Sequence, residues 1–270
     1  MKFLIYPNRT SGSAMAFLAE AEAELRAAGH DCAVYEDGTT PPRDTDIVLT
    51  IGGDGTVLRA IRALCDLDVP FWAVNRGHLG YLTECEPEDL RQHLKLIEQN
   101  HHHLEKRVML CGSLNGGETF FGLNETVIHR CGYTRTLRIE VAVEGSPIMA
   151  FAGDGILVAT ATGSTAYNLS AGGPILLPES RELVITPICA HSALCAPMVV
   201  PGDKEITVIV SMEGEDAHGM HPQMVTDGLV HHQLKAGDSV RCRLDTRTVK
   251  MVKTTHDSFY QLLQKKMSMR

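Results

Sequence analysis

Two hydrophobic periodicities alternate through residues 1–100, and this alternation restricts the fold more than any other feature of the chain. Residues 2–6 form a short apolar run of the kind that makes a buried strand. Over residues 13–28, Met15, Leu18, Ala21, Leu25 and Ala28 recur at helical spacing, and Gly29 supplies a stop. Residues 32–35 and 47–51 read as further strands, a helix is expected from near Thr56, and residues 69–74 read as a fourth strand. Pro87 suits the first turn of a helix running toward Asn100. Repeated strand–helix units of this kind imply a parallel, doubly wound sheet.

From about Leu104 the pattern changes. Asn115-Gly116 is a hairpin signal, although the alternation on either side is imperfect. Residues 137–143 alternate apolar with polar types, 206–210 are β-branched, and 239–244 alternate again. The expectation is an α/β N-terminal domain with a parallel sheet, followed by a mainly β, sandwich-like C-terminal domain. The first is assigned residues 1–100 and the second 101–255. The tail, 256–270, regains helical character and is expected to return to the first domain.

Of the 270 residues, 44% are hydrophobic and 21% charged, which suits a chain with a substantial core. The net charge of −8 argues against broad attraction to nucleic acid or an anionic membrane, so an anionic substrate would need a local site. The first apolar run is too short for a signal peptide, and nothing later approaches the roughly 18 apolar residues of a membrane span. The eight cysteines contain no C-x-x-C pair and read as reduced thiols. A cytoplasmic protein is the expectation. His101-His102-His103 follows a predicted helix, where imidazoles near the C-terminal dipole need no metal to explain them.

The third strand runs straight into Gly52-Gly53-Asp54-Gly55-Thr56. Ligands of open α/β sheets bind beyond the carboxyl ends of strands, and a helix N-terminus there favours phosphate. Gly53 and Gly55 would let a phosphate approach the backbone closely. Asp54 is the unusual member, since a carboxylate beside phosphate is repelled unless it takes a proton or holds a cation. It could equally be a turn residue or a helix cap. Arg59, four residues after Gly55, offers a compensating charge or is a solvated helix-face arginine.

This turn resembles the Gly-Gly-Asp-Gly signature shared by NAD kinases, diacylglycerol and sphingosine kinases, and phosphofructokinases. Leu123-Asn124-Glu125-Thr126 resembles the Asn-Glu motif of NAD kinases. The run from Thr162-Gly163-Ser164-Thr165-Ala166-Tyr167 through Asn168-Leu169-Ser170 to Ala171-Gly172-Gly173-Pro174 is similar to that family's Gly-Ser-Thr-Ala-Tyr and Ser-x-Gly-Gly-Pro signature. Asn75-Arg76-Gly77-His78-Leu79-Gly80-Tyr81 and the segment around Phe259 add weaker similarity.

The resemblance implies phosphoryl transfer from ATP, another triphosphate or polyphosphate to the 2′-hydroxyl of the adenosine ribose of NAD, with a divalent metal ion, magnesium, as cofactor. It makes Asp54 the general base. It places Asn124, Glu125, Arg135, Asp154, Thr165, Ala166, Tyr167, Asn168, Leu169 and Ser170 at the nucleotide site beside Gly53, Gly55 and Arg59, and leaves metal ligands unassigned. A homodimer or homotetramer is implied, without nucleic-acid or membrane partners. Ala152 stands where many members carry arginine, Ala161 where proline is usual, and Leu229 where glutamine is common. Two rival readings are a lipid kinase of the diacylglycerol or sphingosine type and a non-catalytic NAD(P)-binding regulator.

Overall fold

A computed structural model describes residues 1–77, 80–131, 136–192, 195–212, 222–255 and 259–268. In chain order its elements are β1 (Lys2–Pro7), α1 (Gly12–Ala27), β2 (Asp31–Val34), β3 (Ile47–Gly52), α2 (Asp54–Leu64), β4 (Phe71–Asn75) and α3 (Leu90–Glu98). There follow β5 (His103–Leu114), β6 (Thr119–Gly122), β7 (Glu125–His129), β8 (Leu137–Val143), β9 (Ser146–Gly153), β10 (Gly155–Ala159) and α4 (Tyr167–Ser170). The last are β11 (Glu182–Ile188), β12 (Met198–Pro201), β13 (Ile206–Met212), β14 (Gln223–Thr226), β15 (Val230–Gln233), β16 (Ser239–Lys253) and α5 (Phe259–Ser268). Two compact units result, one of Met1–Lys106 with Val249–Arg270, the other of Arg107–Thr248.

The first unit is built on parallel pairs in the order β2-β1-β3-β4, with the end of β16 beside β4 through Met251 and Phe71. All six residues of β3 are buried, as expected of a strand covered on both faces. Phe17 and Leu25 of α1 and Leu90, Leu94 and Ile97 of α3 share one core with Ile5, Leu49, Ile51 and Trp72. Helix α2 buries Val57, Ile61 and Leu64 outside that cluster, so helices cover both faces.

Local chemistry sets the ends of these helices. The Ser11 hydroxyl accepts the Ala14 N–H at 3.3 Å to open α1. At its other end Gly29 takes φ +82°, which lets His30 N–H reach the Leu25 carbonyl. Pro87 opens a 3₁₀ turn over Pro87–Asp89 before α3 begins, and Asn100 ends the segment at φ +55°.

The second unit is a sandwich. One layer is antiparallel, in the order β12-β11-β10-β7-β14-β15. The other runs β9-β8-β13 to the first part of β16, with β5 paired to β16 and β6. Leu137, Ile139 and Val141 of β8 meet Ile156, Val158, Leu183 and Ile185 of the facing layer in one core. The β5–β6 hairpin turns at Asn115 and Gly116, both with positive φ.

In the first unit Glu84 ties the end of β16 to the loop after β4. Its Oε1 accepts the N–H groups of Thr254 and Thr255 at 2.7 and 2.8 Å and the hydroxyls of both, while Oε2 pairs with Lys253 Nζ at 2.9 Å. Burial pushes the Glu84 carboxyl up, but the Lys253 charge and the hydrogen bonds outweigh burial and hold it below its ordinary value. A depressed carboxyl stabilises the fold above its unfolded pKa and loses that contribution as pH falls through the folded value. Glu84→Gln, which leaves Lys253 without its charge partner, is expected to cost about 3 kcal/mol at neutral pH. It should also flatten the loss of stability on acidification, and urea unfolding of both proteins over a pH series checks both expectations.

Candidate functional site

In the first unit the strand order reverses between β1 and β3, and the carboxyl end of β3 delivers Gly52 there. A Cβ on Gly52 would lie 2.2 Å from Thr56 Oγ1, so close packing demands glycine at that position. Gly53 caps α2 with no side-chain bond and ordinary extended backbone, and a Cβ there would meet nothing within 4 Å. At Gly55 the nearest group would be Arg59 Nη1 at 3.8 Å. Packing requires neither of these two glycines. Their absent side chains leave the first amides of α2 open to an approaching anion.

Asp54 is the first residue of α2. Its Oδ2 accepts the Tyr81 N–H at 2.8 Å and its Oδ1 the Leu82 N–H at 3.0 Å. A Cβ on Gly80 would sit 2.0 Å from Asp54 Oδ1, so glycine at 80 makes room for this arrangement. Tyr81 in turn touches the C-terminal helix: its ring centroid is 6.2 Å from that of Phe259, and Lys266 Nζ lies 4.0 Å over it. Arg59 Nη2 donates to Thr56 Oγ1 at 3.2 Å, and its charge acts on the Tyr6 phenol at the end of β1. The Arg76 N–H bonds the Gly52 carbonyl, joining the ends of β3 and β4. His78 and Leu79 of the same similarity segment lie outside the described residues.

In the second unit the structure brings the Asn-Glu motif against the Gly-Ser-Thr-Ala-Tyr motif. Thr160 Oγ1 donates to the Leu123 carbonyl at 2.5 Å, and its N–H bonds the Asn124 carbonyl at 2.8 Å. A Cβ on Gly163 would lie 2.2 Å from that Asn124 carbonyl, which explains this glycine by close approach. Buried Arg107 donates to Thr162 Oγ1 at 3.5 Å. Glu125 is 7% exposed, and burial, then the Asp227 charge, pushes its carboxyl up to about 8. Glu125 Oε2 and Asn124 Oδ1 are both buried without a hydrogen-bond partner. Such atoms are uncommon in folded proteins unless a ligand or water completes them.

The rest of the long motif divides into loop-building and open residues. Asn168 is fully buried: its Nδ2 donates to the carbonyls of Ser164 and Pro174 at 3.0 and 2.9 Å, and its Oδ1 accepts the Thr186 hydroxyl at 2.6 Å. These bonds and its complete burial tie the Asn168 side chain to the loop itself. A Cβ on Gly173 would lie 2.0 Å from Asn168 Oδ1, so the second glycine of Gly172-Gly173-Pro174 serves the same knot. Ser164 belongs to it too, donating to the Ala161 carbonyl at 2.6 Å and accepting the Leu176 N–H at 3.0 Å.

Thr165, Ala166 and Leu169 are half-buried, Ser170 is exposed, and Tyr167 is 45% exposed at the start of α4. These residues remain available to a ligand. Asp154 receives Arg130 Nε at 2.7 Å and is half-exposed. Arg135 lies outside the described residues. Sequence reasoning gave no role to Gly80, Arg130 and Asp227, which act on site residues distant in the chain. Gly80 stood only within a segment of weaker family similarity, and Asp227-Gly228 has the local signal of a turn dipeptide.

Comparison with known proteins places these motifs in a family. Residues 13–102 match the model of the ATP-NAD kinase N-terminal domain, and residues 123–254 match that of the ATP-NAD kinase C-terminal domain. An NAD kinase of Carboxydothermus hydrogenoformans is 38% identical over 226 residues, covering 82% of this chain and 79% of that protein. One from Moorella thermoacetica is 35% identical, covering 82% and 70%. Among solved structures, yeast NADH kinase complexed with NADH aligns with a TM-score of 0.86 at 19% identity, over 99% of this chain and 87% of that one. The NAD kinase from Archaeoglobus fulgidus in complex with ATP aligns with a TM-score of 0.82 at 24% identity, over 99% and 98%. At those identities the two structures show a shared fold, while the domain models and the closer sequence relatives carry the assignment: the chain belongs to the NAD kinase family.

Proposed function

We propose that this NAD kinase transfers the terminal phosphoryl group of ATP, or of another triphosphate or polyphosphate, to the 2′-hydroxyl of the adenosine ribose, with Asp54 as general base. What supports the role of Asp54 is its double anchorage on the Tyr81 and Leu82 amides at the open N-terminus of α2. Two amides hold the carboxylate in place while lone pairs remain on both oxygens to accept a proton. The ribose oxygen attacks the terminal phosphorus, its proton passes to Asp54, and the bond from phosphorus to the bridging oxygen breaks. The amides of Gly53 and Gly55 and the Arg59 guanidinium neutralise phosphate charge.

Asn124, Glu125, Asp154, Thr165, Ala166, Tyr167, Leu169 and Ser170 hold the dinucleotide in this reading. The unpartnered oxygens of Asn124 and Glu125 suit hydroxyl or amide donors. No group of three or more metal-ligating side chains occurs among the described residues. That fits magnesium carried mainly by donor phosphates, with Asp54 as a carboxylate at the glycine turn, and does not fit an all-protein cage among the described residues. When bound, the ion supplies charge neutralisation on the transferring phosphoryl group. A homodimer or homotetramer in the cytoplasm completes the proposal, and no described helix is long and apolar enough to cross a membrane. A regulator that only binds would not need the anchored acid at position 54, and the match over residues 123–254 disfavours a lipid acceptor.

Purified protein with NAD, magnesium and a panel of donors should form NADP. Asp54→Asn should lower kcat by about 10²–10⁴-fold while NAD still binds, the loss expected when a general base is removed. Near-normal turnover by the folded variant would end the assignment of Asp54. Tyr167→Ala should weaken NAD binding about 10-fold, the order expected for loss of one aromatic stacking contact. Calorimetry with unchanged affinity would instead make Tyr167 an ordinary exposed side chain.

A further inference from the structure

Asp227 lies in the turn between β14 and β15, more than a hundred residues after the Asn-Glu motif, yet its carboxylate is bound to that motif. Oδ2 accepts the Leu123 N–H at 2.7 Å, and Oδ1 accepts those of Asn124 and Glu125 at 2.8 and 3.1 Å. Three successive amides converging on one anion form a nest, a geometry that fixes three peptide planes at once. Two further features show how closely the site is fitted. Asp227 takes φ +52°, a conformation that aspartate tolerates better than most side chains. A Cβ on Gly122 would meet Thr226 Cγ2 at 2.6 Å and Asp227 Oδ1 at 2.9 Å.

The same short turn is held from its other side by Thr160 and by the close approach of Gly163. Its backbone is therefore fixed on two sides, while Asn124 Oδ1 and Glu125 Oε2 stay buried and unpaired. We propose that Asp227 is a positioning residue for the dinucleotide, clamping the amides of Leu123, Asn124 and Glu125 so that these two oxygens accept hydrogen bonds from the substrate's hydroxyl or amide groups. The inference rests on the NAD kinase reading and adds to it a residue that touches neither substrate.

Asp227 also acts by charge. The strand partners of Glu125 and Thr126 on β10 and β14 are Ala159, Val158 and Thr226, none of them charged. Among the described groups Asp227 is the one charge that acts on Glu125, and it adds to burial in pushing that carboxyl up to about 8. Removing the Asp227 charge therefore brings the ionisation of Glu125 to lower pH. Moving the carboxylate a little, without removing it, disturbs the amide clamp far more than the charge.

Two variants separate these effects in steady-state assays of NADP formation over a pH series. Asp227→Asn turns an amide NH₂ toward backbone donors, so the KM for NAD should rise about 10-fold or more, the worth of charge-assisted hydrogen bonds. The KM for the phosphoryl donor should stay within about twofold, as for a residue that acts on one substrate alone. An inflection near pH 8 in kcat/KM for NAD should move to lower pH. Gly122→Ala, which crowds Asp227 but keeps its charge, should raise the KM for NAD while leaving that inflection in place. If the wild-type protein forms no NADP, the functional reading falls and this inference with it. If it does form NADP, an unchanged KM for NAD in both variants overturns the positioning role alone. Parallel rises in the KM of both substrates would do the same. Should Asp227→Asn fail to fold, Gly122→Ala decides.

Discussion

A turn buried at the end of a strand leaves amide groups that no neighbouring strand can satisfy, and in three places this chain meets them with a carboxylate. Asp54 takes the amides of Tyr81 and Leu82, Glu84 those of Thr254 and Thr255, and Asp227 those of Leu123, Asn124 and Glu125. Each bond is charge-assisted, and each joins segments far apart in sequence. An unsatisfied amide in such a position costs as much as a lost hydrogen bond, so the turns and the acids stabilise one another. Much of what organises the motifs in each unit follows from these three clusters.

The arrangement also governs how the acids can behave. Asp54 is fixed by neutral donors at an open helix terminus, whereas Glu84 is paired with a lysine and buried. Glu125 has neither amide nor cation on its carboxylate, and burial dominates it. Three acids of similar intrinsic strength are thereby given different roles: one held but accessible, one locked as a structural ion, and one close to neutrality. The glycines match this division. Those at 52, 80, 163 and 173 are required because a Cβ would collide with a neighbour, whereas a Cβ on Gly53 would meet nothing within 4 Å and one on Gly55 only Arg59 Nη1 at 3.8 Å.

The strands and helices were legible because their information is local. The helical spacing of Leu18, Ala21 and Leu25 and the stop at Gly29 set α1, and the alternation over 137–143 becomes the buried-exposed pattern of β8. Edges were less legible: Pro70 has no N–H to donate and β4 starts after it, and Pro87 opens a 3₁₀ turn rather than α-helix. The motifs marked the region of each candidate site but not the task of each residue. Asn168 stands in the middle of a nucleotide-like signature and is spent on three internal hydrogen bonds. Gly80, Arg130 and Asp227 look like ordinary loop residues because their partners are defined only by the fold.

The path of β16 has a consequence for the order in which the chain acquires its structure. The first unit is not continuous: β1 to α3 precede the second unit in the chain, but residues 249–253, which lie beside β4, are synthesised only after the whole of it. Until they arrive, the start of β4 lacks a partner on that edge, its later part being paired with Glu84 and Cys85, and Glu84 has neither Lys253 nor the two threonine amides. On the ribosome, the second unit can therefore condense while the first still waits for its closing strand. An exposed parallel edge is the kind of surface that recruits other chains. For this protein the interval between synthesis of β4 and arrival of β16 is one in which the start of that edge lies open to another strand.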